Sequence, residues 1–274
     1  MRLISLGDNT ADCYYDEHIF FPGGQAINVA VDAKADGAEK SSYLGIFGDD
    51  AYASYLRQLL DTLDVGTDRC RVVYADTPRP GIRIVNGERS FLHSPITERD
   101  CYPHLVKLSF SPRDFDLLST FDVCHTTNEA DVDSDLFSLH QAVKLSYDFS
   151  TDRSERRLQR VCPHIDLAFF SGEGLDESEV RMLISAAHGC GCPLVVMTMG
   201  VRGSICSDGT NMYEQGITSV NAIDTLGAGD SYAAAFLVRY FDTYDIQAAM
   251  VFASECSAKT CTIRGAFGHS GSMI

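Results

Sequence analysis

The stretch Ile217–Phe241, ITSVNAIDTLGAGDSYAAAFLVRYF, runs from a strand-like segment through a small-residue turn into an alanine-rich helical pattern. ITSVNAID reads as a strand ending at Asp224. SYAAAFLVRYF reads as a helix with Ala233, Phe236, Leu237 and Tyr240 near one face. Between them Gly227, Ala228 and Gly229 lie directly before Asp230. The first N–H groups of a helix have no internal partners, and the helix dipole is positive there. A Gly-Ala-Gly turn lets a ligand approach the backbone closely, so the junction suits an anion. An acid inside such a cradle is awkward for static phosphate storage. It makes sense as a base that takes a proton from a hydroxyl attacking a phosphoryl group, while the amides stabilise the transferred charge. The same residues also fit a plain tight bend with an acid favourably placed in a helix's first turn.

Strand and helix patterns alternate along most of the 274 residues. RLISLG (Arg2–Gly7), SSYLGIFG, FDVCHTT, LSYDFS, IDLAFFS and PLVVMTMG read as buried strands. GGQAINVAVDAKADG, with Ile27 and Val31 on one face, DDAYASYLRQLLDTLDV, LFSLHQAVKL and ESEVRMLISAAHGC read as helices. Buried strands alternating with amphipathic helices predict a parallel sheet covered on both faces, with the ligand crevice beyond the carboxyl ends of the strands. The rhythm breaks twice. ADCYYDEHIFF suits an exposed strand. From Thr67 to Ile96, CRVVYAD, PGIRIVNG and ERSFLHS are short strand candidates, with Asn86–Gly87 as a hairpin signal. Residues 10–21 and 67–96 are therefore expected to form a small β insertion within a single domain spanning 1–274.

Composition narrows the function. The formal net charge of -16 argues against nucleic acid as a partner, because a phosphate backbone needs a basic face. No apolar run reaches the roughly 18–20 residues of a membrane span, and the start turns acidic too early for a signal peptide. A cytoplasmic location is expected. The ten cysteines lack a framework: there is no CxxC, and Cys124, Cys162 and Cys206 lie in apolar runs, as reduced buried thiols do. No GxxxxGK[ST] occurs, and none of the five lysines follows a glycine, which removes the phosphate-loop NTPases. GAGDSY and GEGLDE lack the third glycine of a dinucleotide fingerprint.

DTLGAGDSYAAAF resembles the DTxGAGD signature of the ribokinase-like (PfkB) carbohydrate kinase family. PGGQAINVAVDAKADG resembles that family's N-terminal glycine-pair signature through Gly23, Gly24 and Asn28. The resemblance covers almost the whole chain. It implies an α/β ribokinase-like three-layer sandwich, with a mostly parallel central sheet and a small β lid. It also implies an ATP-dependent sugar kinase using Mg²⁺, in some members with a monovalent cation. Asp230 matches the catalytic base, and Gly227, Ala228 and Gly229 the anion hole. Asp224, followed by Thr225, matches the acid that closes the loop and organises the cation environment. TMGVRGS resembles the nucleotide-site pattern through Thr198, Gly200 and Gly203. GDNTAD resembles the family's opening motif, with Asp12 matching the substrate-hydroxyl acid and Asp8 and Asn9 as further polar groups. Asn28 would read a substrate hydroxyl, although a backbone carbonyl could satisfy it as well.

One element departs from the family. Where an NxxE motif is expected, the chain has Ser171 and Gly174, with Glu173 displaced by one. Glu173 and Asp224 are the remaining candidates for contact with the metal, whose shell the nucleotide and water can otherwise supply. GDN and the compact glycine-pair helix resemble the fructoselysine 6-kinase branch, which implies an amino-sugar adduct phosphorylated at its 6-hydroxyl. Candidates for its charged tail are Glu88 and Arg89 on the insertion, and His125, Asn128 and Glu129 after FDVC, with His125 foremost. Other ketoses or a nucleoside, and a lapsed sugar- or nucleotide-binding sensor, stand as alternatives. Family lids often pair between subunits, which implies a homodimer.

Overall fold

The computed structural model describes residues 1–85, 88–92 and 99–274. The central sheet is built from runs that are apolar on both sides. Its strands are β1 (Arg2–Gly7), β4 (Lys40–Phe47), β5 (Val65–Gly66), β6 (Arg71–Val72), β9 (Val123–Thr127), β10 (Lys144–Asp148), β11 (Leu167–Ser171), β12 (Leu194–Thr198), β13 (Ser204–Ser207) and β14 (Met212–Gln215). Their order is β14-β13-β12-β11-β10-β9-β1-β4-β5, with β6 also paired to β4. Pairs from β5 through β12 are parallel, and β13 and β14 turn back antiparallel.

Helices cover both faces. They are α1 (Gln25–Ala35), α2 (Ala51–Thr62), α3 (Tyr102–Leu105), α4 (Pro112–Leu118), α5 (Leu136–Ala142), α6 (Glu155–Val161), α7 (Glu177–Gly189), α8 (Ala228–Thr243) and α9 (Ile246–Thr260). Period-two alternation divides each strand between two cores. On β11, Leu167 and Phe169 join Phe236 and Leu237 of α8, while Ala168 and Phe170 join Leu139, Leu158 and Leu183 on the other side. This double burial is why these strands read as continuous apolar runs.

A second sheet stands at the carboxyl ends of the first. It consists of β2 (Thr10–Tyr14), β3 (Ile19–Gly23), β7 (Gly81–Val85), β8 (Glu88–Leu92) and β15 (Gly271–Ser272), in the order β15-β3-β2-β7-β8. The segment expected as one exposed strand is a hairpin, broken by a turn of 3-10 helix at Tyr15–Glu17, and Ala11 to Tyr14 are buried. The insertion is also narrower than 67–96. Within CRVVYAD only Arg71–Val72 is a strand, and it pairs with β4 of the central sheet. Asn86–Gly87 and residues 93–96 lie outside the described residues, although Val85 and Glu88 pair across the connection as an antiparallel hairpin requires. ITSVNAID is not a strand: Ile217, Val220 and Ile223 are exposed in an irregular segment after β14. Its large apolar residues lie three apart, at Ile217, Val220 and Ile223, which is not the period-two alternation of a half-buried strand.

The root of the second sheet is held by buried charge. Asp76, 3% exposed, accepts hydrogen bonds from Arg79 Nη2 at 2.9 Å and from Arg99 Nε at 2.7 Å, while Arg99 also reaches Asp49 at 2.8 Å. The next residue, Thr77, donates its N–H and hydroxyl to Asp50, whose side chain also caps α2 through the Ala53 N–H. Removing one partner of such a network strands the other charges. Asp76→Ala is expected to lower stability by about 3–5 kcal/mol, read as a reduced urea midpoint; an unchanged midpoint would show the clasp to be ornamental.

Candidate active site

The two glycine motifs meet above the carboxyl ends of the strands. After β1, Asp8 and Asn9 turn the chain into β2. Gly24, at φ 102°, starts α1 so close to this corner that a Cβ there would lie 2.7 Å from Asn9 Cα. Asp8 accepts hydrogen bonds from the first amides of α1, Gln25 and Ala26, both at 3.2 Å, as suits an acid at a positive helix end. Burial raises its pKa, those amides oppose the rise, and the charge of Glu129 adds to it.

One turn into α1, Asn28 donates from Nδ2 to Asp230 Oδ2 at 2.7 Å, and its Oδ1 has no partner. Asp230 lies in the first turn of α8. Gly227, at φ 75°, makes the turn before it, and a Cβ there would fall 2.5 Å from Ala266 Cβ. Removal from water pushes the Asp230 carboxyl up to about 8; the Asn28 amide opposes this, and the charges of Asp148 and Asp8 reinforce it. Asp148, at the end of β10, is itself pushed up to about 6 by burial, against a 2.6 Å hydrogen bond from the Ser150 N–H. The Ala228 N–H turns back onto the Thr225 carbonyl at 3.3 Å, while the N–H groups of Gly227, Gly229 and Asp230 have no acceptor among the described residues. Gly229 and Thr225 themselves are exposed.

The second sheet faces this turn. Asp12 is 7% exposed, accepts from the Thr10 hydroxyl at 2.8 Å, and occupies the space a Cβ of Gly23 would need. Tyr14, Phe21 and Ile82 pack together with Leu226 of the turn against them. The Tyr14 hydroxyl donates to Asp224 Oδ2 at 3.3 Å. Asp224 also accepts from the N–H groups of Leu226 and Gly265, at 3.0 and 3.1 Å. Gly265 in turn lies against the Phe21 ring, where a Cβ would clash at 2.3 Å. Residues 261–274 therefore lace the glycine turn to the second sheet, which β15 completes.

At the other end of the crevice, Thr198 closes β12 and Gly200 and Gly203 take positive φ in the turn to β13. Gly203 is required there, because a Cβ would meet the Gln215 carbonyl at 2.1 Å. Arg202 donates to the Gly172 carbonyl at 2.9 Å, and Arg153 to the carbonyls of Ser171 and Glu173 at 2.7 and 2.8 Å. Two guanidinium groups thus hold the loop where the NxxE departure occurs. The Glu173 side chain points to solvent from this loop. Asp224 is committed to hydrogen bonds that close its own loop, and no group of three or more His, Cys, Asp or Glu among the described residues could hold a metal ion. The side chains of the described residues do not fit a metal held by the protein.

Two expected site residues, Asn9 and His125, lie elsewhere. Asn9 is fully buried and braces β1 to β4, donating to the Tyr43 hydroxyl at 2.9 Å and the Ile46 carbonyl at 2.7 Å. His125 sits in mid-strand rather than at the strand end. It is fully buried, with Nδ1 3.0 Å from Ser146 Oγ, its ring edge-on to Phe169, and burial pushing it down to about 3. Arg89 is in β8 opposite Ile84, and its side chain lies outside the described residues. Asn128 and Glu129 do follow a strand end: Asn128 donates its N–H to the Asp148 carbonyl at 3.0 Å. Asp148 was missed, although its place directly after a buried strand is where a crevice residue belongs. Tyr14, Arg153 and Arg202 carried no local signal.

The chain matches the pfkB family of carbohydrate kinases over residues 14–269. It is 42% identical over 273 residues to the fructosamine kinase FrlD of Bacillus subtilis (strain 168), covering 98% of this chain and 94% of that one. It is 31% identical over 266 residues to a fructoselysine 6-kinase of Shigella flexneri, covering 97% and 99%. The ribokinase of Arabidopsis thaliana, solved with ribose and ATP, shares its fold with a TM-score of 0.82 at 18% identity, over 97% of this chain and 94% of that one. Two glycine motifs converging over the strand ends, in a ribokinase-like α/β fold matched almost end to end, place the chain in the pfkB family of carbohydrate kinases, as a sugar kinase.

Proposed function

We propose that the protein is an ATP-dependent fructosamine kinase, which transfers the γ-phosphate to the 6-hydroxyl of fructoselysine or a related fructosamine with Asp230 as the general base. The observation that carries this reading is the Asp230 carboxylate. It is poised at the start of α8 behind the Gly227–Gly229 turn, and the Asn28 amide holds it from the opposite motif at 2.7 Å. A carboxyl raised to about 8 is a stronger base than a solvated one, which suits it to take a hydroxyl proton near neutral pH. The similarity to fructosamine and fructoselysine kinases supports the substrate class. The similarity to a ribokinase solved with ATP supports the nucleotide.

The step balances as follows. Asp230 takes the proton of the 6-hydroxyl as that oxygen forms a bond to the γ-phosphorus. The bond from phosphorus to the β–γ bridging oxygen breaks, and its electron pair leaves with ADP. The free N–H groups of Gly229 and Asp230, at the positive end of α8, stabilise charge on the phosphoryl oxygens. Asp12 and Asn28 hold sugar hydroxyls. The second sheet acts as a lid that keeps water from the phosphoryl group. Thr198, Gly200 and Gly203 line the nucleotide end. Magnesium would enter with the nucleotide and neutralise charge on its phosphates, with no described side chain assigned to hold it. The edge of the lid pairs two copies of the chain.

Asp230→Asn is expected to lower kcat by about 10²–10⁴-fold while sugar binding, followed by calorimetry, persists; undiminished turnover would sink the mechanism. A base works only when deprotonated, so kcat/KM should rise with pH through an acid limb near 8. Asp148→Asn removes a negative neighbour, makes Asp230 easier to ionise, and should move that limb to lower pH; a limb that stays put or rises contradicts the coupling. In an ADP-release screen of ketoses, nucleosides and fructosamines, fructosamines should give the highest kcat/KM.

A further inference from the structure

The sugar end of the crevice is electrically unbalanced. Two buried acids elsewhere are matched by cations, Asp76 by Arg79 and Arg99 and Asp114 by Arg69 and Arg71, whereas Asp32 of α1 has none among the described residues. In the crevice, Asp8, Glu129, Asp148 and Asp230 form no ion pair with any Lys, Arg or His among the described residues. Acceptors there are also unmatched. Asn28, 4% exposed, has an Oδ1 without a partner, and so does the buried Oδ1 of Asn128. The site as built asks its ligand for hydrogen-bond donors and for positive charge. A neutral ketose supplies only the donors, and a nucleotide adds more negative charge.

Strand register decides which acids meet that charge. β1 and β9 pair with Leu6 opposite Thr126, so the residues that follow the two strands lie side by side. The contact is tight: a Cβ on Gly7 would be 3.1 Å from Ala130 Cβ. Asp8, after Gly7, and Glu129, before Ala130, therefore flank one corner of the pocket. Asp230 takes the hydroxyl end. A fructosamine carries its secondary ammonium at the other end of the ketose, with an amino-acid substituent that has to leave the pocket. The partner of that ammonium must sit at the mouth. Glu129 is exposed there, and the less exposed Asp8 lies behind it, occupied by the amides of α1.

We infer that Glu129, backed by Asp8, pairs with the secondary ammonium of the substrate and sets the preference for fructosamines over neutral ketoses. This rests on the fructosamine-kinase reading above. Glu129 binds the amine without taking part in phosphoryl transfer, so its contribution lies in KM rather than kcat.

The test compares a fructosyl amino acid with a 1-O-alkyl fructose, in which an ether oxygen replaces the amine. Wild-type kcat/KM should be at least about tenfold higher for the amine, the scale of one charge-assisted hydrogen bond. Glu129→Gln should raise KM for the amine about tenfold with kcat little changed, and leave the ether's KM as it was. Glu129→Asp, which keeps the charge, should recover most of the affinity. An unchanged KM for the amine in Glu129→Gln, or an equal loss on both substrates, overturns the assignment. Wild-type turnover of neutral ketoses with none of any fructosamine would instead overturn the fructosamine reading itself, and that result needs no variant.

Discussion

A single hydrogen bond, from Asn28 to Asp230 at 2.7 Å across 202 residues of sequence, is the point on which the rest of the architecture converges. It forms only if two helices begin at the same place. α1 starts on Gly24 and α8 on Gly227, both at positive φ, and at either position a Cβ would strike neighbouring atoms at 2.5–2.7 Å. A side chain at either glycine would push one helix start away and pull donor from acceptor. The glycines thus serve the approach of two helix ends to each other as much as any approach of a ligand.

Electrostatics separates structural acids from those of the crevice. The clasp at Asp76 and the Asp114 pair with Arg69 and Arg71 bury charge together with its partner, which removes the penalty of an isolated ion. The crevice acids have no cation partner among the described residues, and burial pushes Asp230 and Asp148 up to about 8 and about 6. Such perturbed carboxyls concentrate where chemistry is done. The unmatched set is also why the proposed substrate is an amine: the cleft is complementary to a cation before any contact with the sugar ring is counted.

The central sheet was legible because its strands are buried on both faces. Runs such as RLISLG and PLVVMTMG leave little choice of environment, and the helices between them keep a clear apolar stripe. The glycine turn before Asp230 was legible because small residues and an acid at a helix start have few purposes. What failed was the reading of polar residues within or beside buried strands. Asn9 and His125 read as ligand groups in the sequence, yet both bond to neighbours inside the fold, through Tyr43 and Ile46 in one case and Ser146 in the other. Sequence periodicity cannot distinguish a strand's last turn from its middle by two residues. ITSVNAID failed for a different reason: its β-branched residues suit a strand, but Ile217, Val220 and Ile223 lie three apart and give no single face to bury. The contribution of residues 261–274 to the second sheet is non-local.

That last segment has a consequence for how the chain comes into being. Asp224, the Gly227 turn and the Phe21 ring all rest on residues between 261 and 266, and β15 pairs with β3 through Gly271 and Ser272. Tyr52 also exchanges hydrogen bonds with the backbone of Ile274. Synthesis runs from the amino end toward the carboxyl end, so these braces emerge after everything they touch. The residues of the central sheet all precede this segment, but the turn that carries Asp230 lacks its contacts with Gly265 and Ala266 until those residues have been added. The turn that carries Asp230 is therefore the last part of the crevice to be fully braced.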